Sequence, residues 1–188
     1  MQCRAEFSRA ILFVSLVFLG MVCPGTILCR ETVQQTAKEL LLYELDVNDE
    51  HLLLKGRLPI DETLTIQQKL RILLDEISRR HFSDRPPIEI LRTRKTKEGF
   101  VVTLNLREDG EDFYRSKWYQ SFQGSTGGWW TFFQLVYTPL QPDYPGFWFS
   151  GVNVFWNGNP IEELDHIDLS GEKRRSEMRR ICTVGDPC

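Results

Sequence analysis

The stretch TIQQKLRILLDEISRRHF, Thr65 to Phe82, decides the fold class. Ile66, Leu70, Leu73, Leu74 and Ile77 recur at helical spacing and make one apolar face, while Arg71, Asp75, Glu76, Arg79 and Arg80 cover the opposite one. Thr65 and Gln68 stand at capping-box spacing, with Asp61 and Thr63 as rival caps. Asp84-Arg85-Pro86-Pro87 closes the segment, because proline can neither donate to the helical ladder nor avoid the preceding turn. A helix with one apolar face must lie on something, and the segments around it alternate with period two, which is the pattern of half-buried strands.

Upstream, Leu40 to Asp46 and His51 to Lys55 flank the turn Asn48-Asp49-Glu50 and predict a hairpin. Downstream, Ile88 to Thr93 and Phe100 to Leu106 predict two more strands, linked through Gly99. Ser125 or Thr126 caps a second helix starting at Gly127-Gly128, with Trp129, Trp130, Phe133, Val136, Tyr137 and Leu140 on one face. Pro139 is expected to end that helix near Tyr137 or Thr138. Phe147 to Trp156 supplies the last main strand, before a tight turn at Asn157-Gly158. The expectation is an α+β fold: a single mixed sheet with two helices packed on one face, in the order β-β-α-β-β-α-β. The sheet face away from the helices must then be covered by a partner, by solvent-compatible side chains or by the tail.

The N-terminus differs in kind. Arg4 and Arg9 precede the uncharged run AILFVSLVFLGMV, Ala10 to Val22, which falls short of the about 20 residues a bilayer span needs and suits a secretory signal. Neither Cys23, after Gly20-Met21-Val22, nor Cys29, after Thr26-Ile27-Leu28, sits in a good lipid-attachment pattern. Residues 1–29 are therefore read as a signal peptide or N-terminal anchor, 30–39 as a polar linker, 40–172 as the domain, and 173–188 as a charged, cysteine-containing tail. Export places the domain outside the cytoplasm, in a periplasm or at a cell surface, with membrane association through the N-terminal segment as an alternative to release. There, Cys182 and Cys188, flanking Thr-Val-Gly-Asp-Pro, are a candidate disulfide.

The strand LYELD followed by HLLLKGRLPI, the helix KLRILLDEI, the strand FVVTLNL, and QLVYTPLQ with VNVFWNGNPIEELDHIDLSG together resemble the GerMN domain, named for bacterial sporulation and spore germination proteins. The resemblance covers about Leu40 to Arg174. It implies a non-enzymatic interaction module of the cell envelope that assists assembly or anchoring of an extracytoplasmic complex, with envelope proteins as partners. It implies no catalytic or cofactor residues. The chain departs from the family pattern in its tryptophan-rich second helix and its cysteine-ended tail, so a sporulation role does not follow.

Read residue by residue, the chemistry agrees with a module that is not an enzyme. A net charge of −3 offers no concentrated positive field for nucleic acid. No Gly-x-Ser-x-Gly elbow occurs, and His51, His81 and His166 are scattered along the chain. Gly124-Ser-Thr-Gly-Gly128 opens a helix but lacks a phosphate-loop lysine. Alternation would put Asp165 and His166 on opposite faces, so Asp165, His166 and Asp168 read as a solvated loop rather than a shared metal site, and Glu108 to Asp112 reads as an exposed turn. All five tryptophans lie between Phe113 and Trp156. Those on the second helix are expected in the core, whereas Trp118, Tyr119 and Trp148 lie near loops and are the candidate contacts for a partner or for a glycan such as peptidoglycan.

Overall fold

A computed structural model describes residues 36–46 and 51–181; the apolar N-terminal run, the predicted turn Asn48-Asp49-Glu50 and the pair Cys182 and Cys188 lie outside the described residues. The fold is α+β. Strands β1 (Glu39–Asp46) and β2 (His51–Pro59) form an antiparallel hairpin. Helix α1 (Ile66–His81) follows, then β3 (Glu89–Lys95) and β4 (Phe100–Leu106). A helical region leads to β5 (Phe149–Trp156), β6 (Asn159–Pro160), the small hairpin β7 (Glu163–Leu164) and β8 (Ile167–Asp168), and finally β9 (Lys173–Arg174).

Helix α1 starts as its sequence requires. The Gln68 amide N–H donates to Thr65 Oγ1 at 3.3 Å, and the Thr65 N–H donates to Gln68 Oε1 at 2.9 Å, so the box is closed in both directions. Asp61 instead accepts from the Thr63 N–H and hydroxyl and shapes the turn before the helix. Leu70, Leu73, Leu74 and Ile77 are buried, and Ser78 Oγ accepts the Ile88 N–H at 3.0 Å, which ties the helix to the start of β3.

The strands do not form one sheet. The hairpin stands apart from a mixed sheet of order β3-β4-β5-β6, in which β4 and β5 run parallel and β9 also pairs with β5; β7 and β8 make a third, two-stranded sheet. The reason lies on the outer edge of β1. There, backbone groups are satisfied by side-chain amides of the second helical region rather than by another strand. Gln141 exchanges two hydrogen bonds with Leu41, and Gln134 Nε2 donates to the Tyr43 carbonyl at 2.7 Å. Strand β2 also outlasts the predicted His51 to Lys55, because it pairs with β1 as far as Glu39↔Pro59 around a bulge between Leu42 and Tyr43.

The connection from β4 to β5 holds a 3-10 turn (Phe113–Arg115), α2 (Lys117–Ser121), α3 (Ser125–Phe132), a π turn (Phe133–Tyr137) and α4 (Thr138–Leu140). Pro139 does not end this helix, contrary to expectation. The Thr138 N–H bonds to the Phe133 carbonyl five residues back, and this widened register carries the chain through the proline to Leu140. The stop comes at Gln141, in the left-handed region with φ 44°. Gly128 permits the close approach of α3 to α2, since a Cβ there would lie 3.2 Å from the Phe122 carbonyl oxygen. The π turn and α4 pack against both β1 and β5, while α1 packs against α4 and β3. The tight turn is found at Asn157-Gly158, with φ 47° and 82°.

The core side of the sheet carries Val102, Leu104 and Leu106 from β4 with Val152 and Val154 from β5. The other face is roofed by its own polar side chains. The Arg92 guanidinium lies over the Phe155 ring at 5.5 Å, Arg94 pairs with Glu172 at 3.0 Å, and Val101, Thr103 and Asn105 are buried beneath. The start of the predicted tail belongs to the fold: β9 pairs with the second edge of β5, and α5 (Arg175–Ile181) follows it, with Met178 buried. Arg175 fixes this end by donating to the Tyr144 carbonyl at 2.6 Å and to the Gln141 carbonyl at 3.1 Å.

Candidate interaction surface

Two of the three aromatic residues singled out from sequence are core. Trp118 is 0% exposed; its indole N–H donates to the Arg107 carbonyl at 3.2 Å, and its ring packs on Phe82 (4.7 Å) and under the Arg85 guanidinium (4.6 Å), which also lies over the Phe82 ring at 5.5 Å. Trp148 is 3% exposed and donates to the Pro139 carbonyl at 2.8 Å, with Tyr144 tilted against its ring and Phe149 edge-to-face. Their place near loops in the sequence misled, because α2 and the end of α4 fold those loops back over the core. Tyr119 is half-buried, in a cluster with Phe113 (5.5 Å) and Tyr114 (5.1 Å).

The aromatic residues that reach solvent are others. Phe147 is 64% exposed, Tyr114 59% and Trp129 44%. Trp129 was expected in the core with the rest of its helix face, and Phe133, Val136, Tyr137 and Leu140 are indeed buried there. Trp129 sits at the first turns of α3, where the helix emerges beside the β7–β8 hairpin, and its ring covers Phe132 and Phe133 at 5.6 and 6.1 Å. The available signal was its position at the helix start, next to three glycines that leave the turn thinly covered.

Tyr114 and Trp129 line two neighbouring clefts that share Leu164 of the β7–β8 hairpin. The first, of about 460 Å³, is lined by Phe113, Tyr114 and Trp156, with Glu111, Asp112 and Glu162 among its carboxylates. The second, of about 440 Å³, is lined by Trp129 and Phe132 and by the Asp165, His166 and Asp168 side chains seen as a solvated loop from sequence. Asp168 is engaged structurally there. Burial raises its pKa, but hydrogen bonds from the Lys173 ammonium (2.6 Å) and from Ser170 outweigh burial and hold the carboxyl below its ordinary value.

The surface is built by short caps rather than long elements. Glu108, from the predicted acidic turn, accepts the Lys117 and Trp118 amide N–H groups at 2.9 and 3.3 Å and anchors the start of α2. Asp112 accepts the Tyr114 N–H at 3.0 Å and fixes the 3-10 turn. Asn157 ties this loop to the sheet through the Glu108 N–H and carbonyl. Among the described residues no three His, Cys, Asp or Glu side chains converge to hold a metal, and no helix is long and apolar enough to cross a membrane. Comparison with protein-family models, curated proteins and solved structures finds no match.

Proposed function

We propose that this chain is a non-enzymatic interaction module of GerMN type that works outside the cytoplasm and assists assembly or anchoring of an envelope complex. The observation that supports it is the pair of exposed aromatic rings, Tyr114 and Trp129, which flank one small hairpin and each line a concave cleft beside it. Large exposed aromatics at the rim of a rigid scaffold are what a protein contact uses for its anchors. The signal-like N-terminal run and the segment resemblance point to the envelope as the place. A photo-crosslinking residue at position 129, introduced in living cells, tests it: a discrete adduct with an exported or membrane protein is expected. Recovery of an uncrosslinked soluble monomer alone counts against the module.

A glycan platform is the second reading, and Trp129 over the second cleft favours it, since an indole face and nearby polar groups suit a sugar ring. It moves the contact away from Trp118 and Trp148. Co-sedimentation with purified peptidoglycan, lost in Trp129→Ala, is its expected signature, and absence of sedimentation removes it.

A further inference from the structure

The first cleft carries a chemistry more definite than aromatic exposure. Phe113 and Tyr114 meet at 5.7 Å, and Phe113 and Trp156 at 5.4 Å, so three rings form connected walls. Glu111, Asp112 and Glu162 share the lining, which holds no Lys, Arg or His. Asp112 is committed to the Tyr114 N–H and to Arg115 at 3.3 Å. Glu111 and Glu162 have no hydrogen bond or ion pair among the described residues. Trp156 is 8% exposed, yet its indole N–H has no acceptor among the described residues; as a donor it would be met by a backbone carbonyl of an incoming segment, not by a cation.

Ring faces are negative at their centres, and two uncommitted carboxylates add to that field in a concave, partly apolar site. The occupant that satisfies both is an organic cation with a flat, weakly hydrated face. A hard metal ion would ask for converging oxygen ligands, which these residues do not provide. A guanidinium stacks on aromatic rings and binds carboxylates with two parallel N–H groups, whereas an ammonium is a compact and strongly hydrated charge. We propose that the cleft between the Phe113–Arg115 turn and β6 receives an arginine side chain from a basic segment of a partner protein. This rests on the interaction-module reading and names the partner's chemistry.

The test uses the full chain and three fluorescein-labelled nonapeptides, identical except for a central Arg-Gly-Arg, Lys-Gly-Lys or Glu-Gly-Glu, read by fluorescence anisotropy at low salt. Saturable binding of the arginine peptide is expected, at least fivefold tighter than the lysine peptide, with none for the glutamate peptide. The double variant Glu111→Gln/Glu162→Gln and the surface variant Tyr114→Ala are each expected to weaken it about tenfold or more with an unchanged circular dichroism spectrum, while Leu91→Ala leaves it as it was. Absence of arginine-peptide binding, equal affinity for the lysine peptide, or full affinity in the folded double variant overturns the proposal. If the position-129 crosslink still captures an envelope protein in that case, the module reading stands without this cleft.

Discussion

The side-chain amide of Gln141 and the backbone of Leu41 hold each other as two strands would: the Leu41 N–H donates to Oε1 at 2.8 Å, and Nε2 donates to the Leu41 carbonyl at 2.7 Å. Nε2 also reaches the Thr138 carbonyl at 2.6 Å. Gln141→Leu leaves both Leu41 groups buried without partners and is expected to cost about 2–4 kcal/mol in urea unfolding. Gln141→Glu can accept from Leu41 but, when ionised, cannot donate to either carbonyl. Its defect should shrink on acidification as the carboxyl gains a proton. A Glu variant with no pH-dependent recovery would argue against this pairing.

The tryptophans should divide sharply in denaturation experiments. Trp118→Ala and Trp148→Ala each remove a large ring from the core and its indole N–H···O bond, an expected loss of about 3–5 kcal/mol. Trp129→Ala, at the surface, should shift stability by about 1 kcal/mol or less. Chemical unfolding midpoints of the three variants give the comparison directly.

Acid should expose the Glu76 cluster on α1. Hydrogen bonds from Arg79 and then Arg80 hold the Glu76 carboxyl down to about 2, against an ordinary 4.5. A lowered folded-state value means stabilisation that is fully present above about 4.5 and is lost as the pH falls toward about 2. Glu76→Gln should therefore be less stable than the parent at neutral pH and should converge with it on acidification. Parallel stability curves for the two proteins would show that these hydrogen bonds contribute nothing.

Thr65→Ala opens the capping box and is expected to destabilise by about 1 kcal/mol, with Thr65→Ser close to the parent. Thermal melts followed at 222 nm suffice to measure it, and an Ala variant as stable as the Ser variant would contradict the cap.

The elements legible in the sequence were those written in local spacing. Helix α1 with its Thr65 cap, β4 at Phe100–Leu106 and the Asn157-Gly158 turn follow from periodicity, capping and the need for positive φ. What the sequence hid depends on partners distant along the chain. Whether Trp118 is a surface ring or a core ring is decided by Phe82 and Arg85, more than thirty residues earlier, and no local pattern encodes that. The separate hairpin was hidden likewise, because a glutamine one hundred residues away takes the place of a strand. Pro139 misled for a local reason, since a single widened turn cancels the rule that proline ends a helix.

Strands β4 and β5 lie side by side in parallel, yet the whole aromatic helical region from Arg107 to Trp148 is threaded between them. The central pair therefore cannot zip up from a turn. It has to wait until a long excursion has been folded and returned, which makes this contact late and slow compared with the β3–β4 hairpin. A chain cut between Arg107 and Trp148 keeps the β3–β4 hairpin but parts Leu104 and Leu106 from β5, so proteolysis within the excursion should yield an aggregating fragment rather than a smaller working domain.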